Sequence, residues 1–197
     1  MTATPRNRDQ NHDNATMLDA VLLELSINLK AKLTELNNDV VWLNNCYTAA
    51  EKMAKTIDNK TIYYPAVYVG KGEYLNLMPD GHLGSYSFFR IHDPEEVEFY
   101  ARNVNKITAK FDLIIWFNLE KLFPGDTGRN VEHVKERFLK AFRQILTTKG
   151  TYIIDEIYKD AKNIFSSYTI QDKDEKFMTQ PYGALMIRGK VIYKENC

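Results

Sequence analysis

The sequence predicts an α+β domain, in which a mainly antiparallel sheet with a long hairpin is packed by two amphipathic helices. In two segments the apolar residues recur every three or four positions, as they do on one face of a helix. Between and after these segments lie short runs of β-branched and aromatic residues, separated by glycine and proline turns. Because these runs follow one another without a helix after each, their order favours an antiparallel sheet.

The composition is that of one folded domain without a membrane segment. A chain of 197 residues that is 44% hydrophobic is long enough to form its own core. Its 26 basic and 26 acidic residues cancel, whereas a dedicated nucleic-acid binder usually carries excess positive charge. The cysteines, Cys46 and Cys197, are too few for a disulfide framework or a structural zinc site. With no apolar run of 18 residues and no secretory signal, we expect a protein of the reducing cytoplasm.

The first helix follows a polar N-terminal segment. Residues 1–15 contain no large apolar side chain after Met1 and predict a flexible arm, so a single domain is expected over residues 16–197. Asn14 or Thr16 can cap the helix, and residues 37–39 can end it. Its apolar stripe, which is expected to cover the sheet, consists of Leu18, Val21, Leu22, Leu25, Leu29, Leu33 and Leu36.

The first strands are expected after a short connecting region. Residues 40–43 are a brief apolar run, and residues 48–56 predict a second, weaker helical stretch. Residues 62–69 are rich in β-branched and aromatic side chains, and Pro65 indicates an edge strand or a bulge. The glycines of residues 70–72 allow the positive φ of a hairpin turn, so residues 73–78 are expected to return as the partner strand.

The remaining elements are one long apolar strand, a helix and closing strands. Two strands are expected at residues 86–91 and 95–100, divided by the sequence His-Asp-Pro. The continuous apolar run at residues 110–119 is typical of a strand buried on both faces. Apolar residues recur at helical spacing over residues 130–147, which predict the second helix. The chain is then expected to form a strand at 151–158, a turn or short helix at 160–168, a charged loop at 171–176, and a hairpin of 182–188 and 190–194 turning at Gly189.

Motifs for enzymatic chemistry are weak. Helical metal ligands lie three or four positions apart, whereas Glu132 and His133 are adjacent and diverge by about 100°. His82, His92 and Asp93 could meet in space around a metal, but their positions beside turns favour solvated side chains. We therefore expect no metal and no cofactor.

A metal-dependent nuclease is the enzymatic alternative. Residues 58–60 and 174–176 match the acid-x-Lys pattern of one nuclease superfamily, but both triplets lie in polar stretches rather than on an apolar strand. Asp112 and Asp155 lie in predicted strands without such a partner. The glycines of residues 70–72 lack the spacing of a phosphate-binding loop and the helix that follows one. The sequence therefore favours a protein that is not an enzyme, and Asp112, Asp155 and Asp174 are the residues that would test the alternative.

Aromatic residues suggest a protein–protein interface. The chain has 12 Tyr, 10 Phe and 2 Trp, and aromatic pairs occur at residues 63–64, 88–89 and 99–100. Neighbouring side chains of a strand point to opposite faces, so two helices leave some of these rings to be covered by loops or by another chain. The second option predicts contact surfaces at residues 86–90 and at the 69–73 hairpin, with the N-terminal arm as a tether. The candidate interface residues are Tyr64, Lys71, Tyr86, Phe88, Phe89, Arg90 and Trp116.

The order of elements resembles tail-terminator and head–tail connector proteins of tailed bacteriophages. A leading amphipathic helix, a meander with a long hairpin, the apolar strand at 111–119, the helix at 130–147 and closing strands carry this resemblance over residues 17–197. Residues 161–170 (AKNIFSSYTI) and 177–185 (FMTQPYGAL) resemble uncharacterised phage and prophage proteins of Bacteroidetes type. Residues 40–60 are longer than a minimal member needs, which leaves the position within the neck or tail open.

The resemblance implies a structural virion protein without catalytic residues. Such a protein forms a ring, commonly of six or twelve copies, in the neck or tail of the virion. The ring would join the head-side connector to the tail, contact neighbouring portal, connector or tail proteins, and encircle DNA without binding it specifically. Assembly is expected in the cytoplasm of the bacterial host, without a membrane partner. An intracellular adaptor unrelated to phage is a further alternative.

Overall fold

The computed structural model describes residues 16–37, 41–80, 82, 84–101, 103–124 and 131–196. The predicted arm at residues 1–15 lies outside the described residues. The helices are α1 (Met17–Leu36), α2 (Leu119–Leu122), α3 (Val131–Phe142), α4 (Ala161–Ile164) and α5 (Asp172–Glu175), with a 3-10 turn at Lys176–Met178. The strands are β1 (Asn45–Ala49), β2 (Glu51–Ile57), β3 (Lys60–Gly70), β4 (Glu73–Asn76), β5 (Tyr86–Ala101), β6 (Val104–Asn118), β7 (Gly150–Tyr158) and β8 (Tyr182–Asn196). The fold is α+β with a mainly antiparallel sheet and a long hairpin, as the sequence predicts.

The predicted α1 is confirmed, and its cap is Thr16. The Thr16 hydroxyl oxygen accepts a hydrogen bond from the backbone N–H of Asp19 at 3.2 Å, which satisfies a donor at the helix start. The helix ends at Leu36, and the backbone N–H of its C-cap residue Asn37 donates to the carbonyl of Thr34. Its apolar face is buried through Val21, Leu22, Leu25, Leu29 and Leu33.

The second predicted helix is α3, which is shorter than residues 130–147. It ends at Phe142, and Ile145 and Leu146 follow in an irregular segment. The hydroxyl of Tyr152 donates to the carbonyls of Phe142 and Ile145, the latter at 3.1 Å. Since a strand residue satisfies the carbonyls at the helix end, the chain can leave the helix there without burying unpaired groups.

The central sheet has the order β1-β5-β6-β8-β7. Only the β1–β5 pair is parallel, and the other neighbours are antiparallel. β5 and β6 have 16 and 15 residues and form the long hairpin, and β8 pairs with β6 over its whole length. The predicted apolar strand at 110–119 is the buried half of β6.

One face of the central sheet, called here the helix face, packs against α1 and α3. Side chains that alternate along β6 point towards these helices, namely Ile107, Ala109, Phe111, Leu113, Ile115 and Phe117. They join the leucines of α1 and the apolar residues of α3 in one continuous cluster. This cluster is the main core of the protein.

The other face, called here the covered face, has a second layer that the sequence did not predict. A small antiparallel sheet of order β2-β3-β4 and the segment of residues 161–178 lie over part of this face. Val67 from the small sheet and Phe165 and Phe177 from the segment pack against Ile114 and Trp116 of β6. Two layers therefore share β6, whose side chains are buried on both sides between Phe111 and Phe117.

The prediction of a helical stretch at residues 48–56 is wrong. These residues form the end of β1 and most of β2, since Ala49 pairs with Phe89 of β5 and Met53 pairs with Tyr64 of β3. Pairing with two longer strands overrides the local helical preference of a short segment.

The prediction of a closing hairpin at Gly189 is also wrong, because β8 runs without a turn from Tyr182 to Asn196. A side chain at Gly189 would collide with the carbonyl of Ile153 and lie 3.0 Å from the ring of Phe111. The glycine therefore marks a close approach of neighbouring chain segments inside the sheet. Likewise, the predicted break at residues 92–94 is a register shift within β5 between His92 and Glu96 rather than a gap between two strands.

Candidate functional site

Four of the predicted interface residues lie in the interior of the protein. Tyr86, Phe88 and Trp116 are buried on the covered face, and Phe89 is buried on the helix face. Their assignment to a contact surface is wrong, because the helix-face core encloses Phe89, while the small sheet and residues 161–178 cover the other three rings. The Tyr86 and Trp116 rings stack at 5.7 Å, and the indole N–H of Trp116 donates to the carbonyl of Phe177 at 3.0 Å.

Two other candidates lie on the small sheet. Tyr64 of β3 is half-buried against the covered-face cluster, and the Nζ atom of Lys55 lies 5.4 Å from the centre of its ring. Lys71 is exposed in the β3–β4 turn with a φ of 55°, between Gly70 and Gly72 at φ of 98° and 78°. The turn is thus the predicted hairpin, and only Lys71 of the candidates is fully exposed there.

Arg90, the last candidate, belongs to a row of charged residues across four strands. The register places Arg90 of β5, Asp112 of β6, Arg188 of β8 and Glu156 of β7 side by side on the covered face. Arg90 donates to Asp112 and, at 2.9 Å, to the hydroxyl of Ser167. Arg188 donates from Nε to Asp112 at 2.9 Å and from Nη1 to Glu156 at 3.2 Å. The signs alternate along the row, so each carboxylate meets a guanidinium.

Asp112 is the centre of this row and is fully buried. Its second oxygen also lies 2.8 Å from Nε2 of His92. Burial by itself would raise the pKa of Asp112, but hydrogen bonds from Arg188, Arg90 and His92 outweigh it and hold the pKa below its ordinary value. The hydrogen bond to Asp112 correspondingly raises the pKa of Arg188. The row is therefore a neutralised structural network, in which Asp112 stays ionised.

The outer half of β5 is the most exposed part of the central sheet. Val97, Phe99 and Tyr100 are 63%, 75% and 56% exposed. In the described residues, β5 pairs with β1 only from Tyr86 to Phe89, so its outer edge is open from there to the hairpin turn. Exposed apolar side chains beside an open strand edge are typical of a protein–protein contact.

A second exposed apolar feature lies at the opposite edge of the sheet. A groove of about 610 Å³ runs between the end of α3 and β7, the outermost strand on that side. It is lined on the helix side by Leu139, Phe142, Ile145 and Leu146, on the strand side by Thr151, Tyr152 and Ile154, and by Arg143 and Thr147. Leu146 is 86% exposed, the largest exposed fraction among the large apolar residues described.

The residues considered for metal chemistry are dispersed. Asp174 accepts a hydrogen bond from the backbone of Gln171 at the start of α5, and Asp155 is exposed on β7. His82 is exposed after a turn, and the ring of His133 packs 5.1 Å from that of Phe123. Across the described ranges no group of three or more potential ligands lies close enough to hold a metal ion. None of the described helices has the length and apolar character needed to cross a membrane.

The charged row and the exposed end of β5 were only partly visible in the sequence. An aspartate inside the apolar run of β6 was a signal, but its partners depend on strand register, which the sequence does not specify. The pair of aromatic residues at 99–100 is visible in the sequence, whereas its position beyond the cover of both layers depends on tertiary contacts.

Comparison with known proteins gives no family for this chain. No protein-family model matches the sequence, and a search of curated proteins finds no significant match.

Proposed function

We propose that this chain is a structural subunit that assembles with copies of itself, and that the assembly is a ring in the neck or tail of a tailed phage. The observation that carries the proposal is the exposed outer half of β5, where Val97, Phe99 and Tyr100 project beside an open strand edge. Burial of these apolar side chains against a partner removes apolar surface from water, which lowers the free energy of the assembled state.

The specific kind of assembly is taken from the sequence resemblance. Tail-terminator and connector proteins are expected to have an α+β fold with a long hairpin, and the protein has this fold. A formal net charge of zero suits a channel through which DNA moves without being retained. Under this proposal the ring lies in the virion, contacts portal, connector or tail proteins, and is assembled in the host cytoplasm.

The nuclease alternative is less well supported by the geometry. A catalytic Mg²⁺ ion needs carboxylate oxygens that are free to bind it. Both oxygens of Asp112 already accept hydrogen bonds from Arg90, His92 and Arg188, and two guanidinium groups repel a cation. The partners of Asp112 therefore stabilise its ionised carboxylate and occupy the oxygens that a metal ion would need.

Electron microscopy of the purified protein tests the proposal. We expect closed rings of one symmetry, with a contact of about 800 Å² or more per partner. Native mass spectrometry of the same sample should give one copy number, and peptides of the chain should be found in purified phage particles. A protein that stays monomeric at high concentration and is absent from particles would exclude the proposal, and an adaptor would be preferred.

A further inference from the structure

We infer that one copy of this chain adds the outer half of its β5 to the β7 edge of the next copy, with Val97 and Phe99 entering the groove beside α3. The inference rests on the proposed self-assembly and names the surfaces that form the contact. Within the described residues, the sheet order leaves β7 as an edge strand at one end and leaves the outer edge of β5 beyond Phe89 without a strand partner at the other.

Strand pairing determines which side chains of β5 would meet the groove. Val97 and Phe99 pair with Ile107 and Asn105 of β6, and Ile107 belongs to the core under the helices. Val97 and Phe99 therefore project on the helix face. A strand added to β7 in a continuous sheet places its helix-face residues beside Tyr152 and Ile154, which line the groove.

The two surfaces are also complementary in character. On the helix face the outer end of the sheet carries two acidic residues, Glu95 and Glu195, around the apolar pair. The groove is lined mainly by apolar side chains and has the exposed Arg143 on its lining. An apolar pair with acidic neighbours therefore meets an apolar groove with a basic residue, and this selects a second copy of the chain as the occupant.

The contact joins the outer half of β5 in one copy to the β7 groove of the next. Each copy carries both surfaces and can therefore contact two neighbours. Repetition of such a head-to-tail contact gives a ring when the rotation closes, whereas a contact between identical surfaces stops at a dimer. One α+β domain can build a ring in this way.

Two substitutions at exposed positions test the contact without disturbing the core. Phe99→Glu changes the inserted strand, and Leu146→Glu changes the groove, at side chains that are 75% and 86% exposed. Each is expected to weaken self-association by about 30-fold or more in sedimentation velocity, because a charge replaces a buried apolar contact. Ile57→Glu, at an exposed position on the small sheet, is the matched control and should assemble like the wild type.

Mixing the two variants distinguishes this contact from other arrangements. The Phe99→Glu copy keeps an intact groove and the Leu146→Glu copy keeps an intact strand, so an equal mixture should form dimers that grow no further. Slower hydrogen exchange at residues 95–100 and in β7 of the assembled wild type would support strand addition.

Rings that are insensitive to both substitutions would overturn this contact and leave the proposed self-assembly in place. A variant mixture that stays monomeric, or a groove variant that assembles normally, would also overturn it. A wild type that is monomeric at every concentration would overturn the contact and the proposed function together.

Discussion

At the scale of single residues, the most consequential feature is the buried carboxylate of Asp112. Its oxygens accept hydrogen bonds from Arg90 and Arg188 and contact His92. Arg188 also donates a hydrogen bond to Glu156. A buried ion pair contributes little compared with an apolar replacement of the same shape, but removal of one partner leaves the other charges without compensation. The row therefore makes Asp112 difficult to replace, although no catalytic role follows from it.

Replacing Asp112 by asparagine should destabilise the protein strongly. The substitution removes the negative charge between two guanidinium groups, and we expect a loss of about 3 kcal/mol in the free energy of unfolding. Urea unfolding followed by circular dichroism measures it. As a control, Glu96→Gln breaks the exposed pair with Lys110 and should change the free energy of unfolding far less, because solvent screens an exposed ion pair. Equal effects of the two substitutions would contradict the structural role of the row.

The same residue predicts how stability depends on pH. Because the pKa of Asp112 is lower in the folded than in the unfolded protein, the unfolded state binds more protons as the pH falls. The contribution of Asp112 is complete above the ordinary carboxyl pKa of about 3.9 and is lost as the pH falls towards the lower folded value. The free energy of unfolding measured over this acidic range should decline less steeply in Asp112→Asn. An identical slope would show that other carboxylates carry the effect.

At the scale of elements, a helix or strand with a clear apolar pattern could be predicted from the sequence. Elements that depend on tertiary contacts could not. The leucines of α1 recur at helical spacing, and the apolar run of β6 is continuous, so local sequence alone specifies both. β1 and β2 are strands because longer strands pair with them. The cover of the second face could not be predicted, because Phe165, Tyr168 and Phe177 lie in short turns and a 3-10 helix without any periodic pattern.

Gly189 gives a prediction at this scale. It lies within β8, where an added Cβ atom would collide with the carbonyl of Ile153 on β7 and contact the ring of Phe111 on β6. Gly189→Ala should therefore destabilise the protein by about 1–3 kcal/mol, since neither neighbour can move without disturbing the core. Thermal unfolding measures this change in stability. The neighbouring substitution Lys190→Ala is the control and should change the free energy of unfolding by no more than about 0.5 kcal/mol. A neutral result would contradict the close approach of Ile153 and Phe111 to Gly189 within the continuous strand.

At the scale of the whole molecule, β6 holds two layers together. Phe111, Leu113 and Ile115 pack towards the helices, while Ile114 and Trp116 pack towards the small sheet and residues 161–178. This arrangement buries most of the aromatic side chains within one copy and leaves the outer end of β5 and the groove beside β7 as exposed apolar surface. The proposed self-assembly therefore rests on these two small surfaces, whereas the sequence alone based it on a general excess of aromatic residues.

Because both layers are built on the same strand, they should unfold together as one domain. The two tryptophans report on them separately, since Trp42 is buried in the helix-face cluster and Trp116 in the covered-face cluster. In the variants Trp42→Phe and Trp116→Phe, the remaining indole follows one layer during urea unfolding. We expect the fluorescence midpoint of each variant to coincide with its own midpoint by circular dichroism, as a two-state transition requires. A separate, earlier transition seen only through Trp116 would mean that the covered-face layer folds as an independent unit on a stable helix-packed sheet.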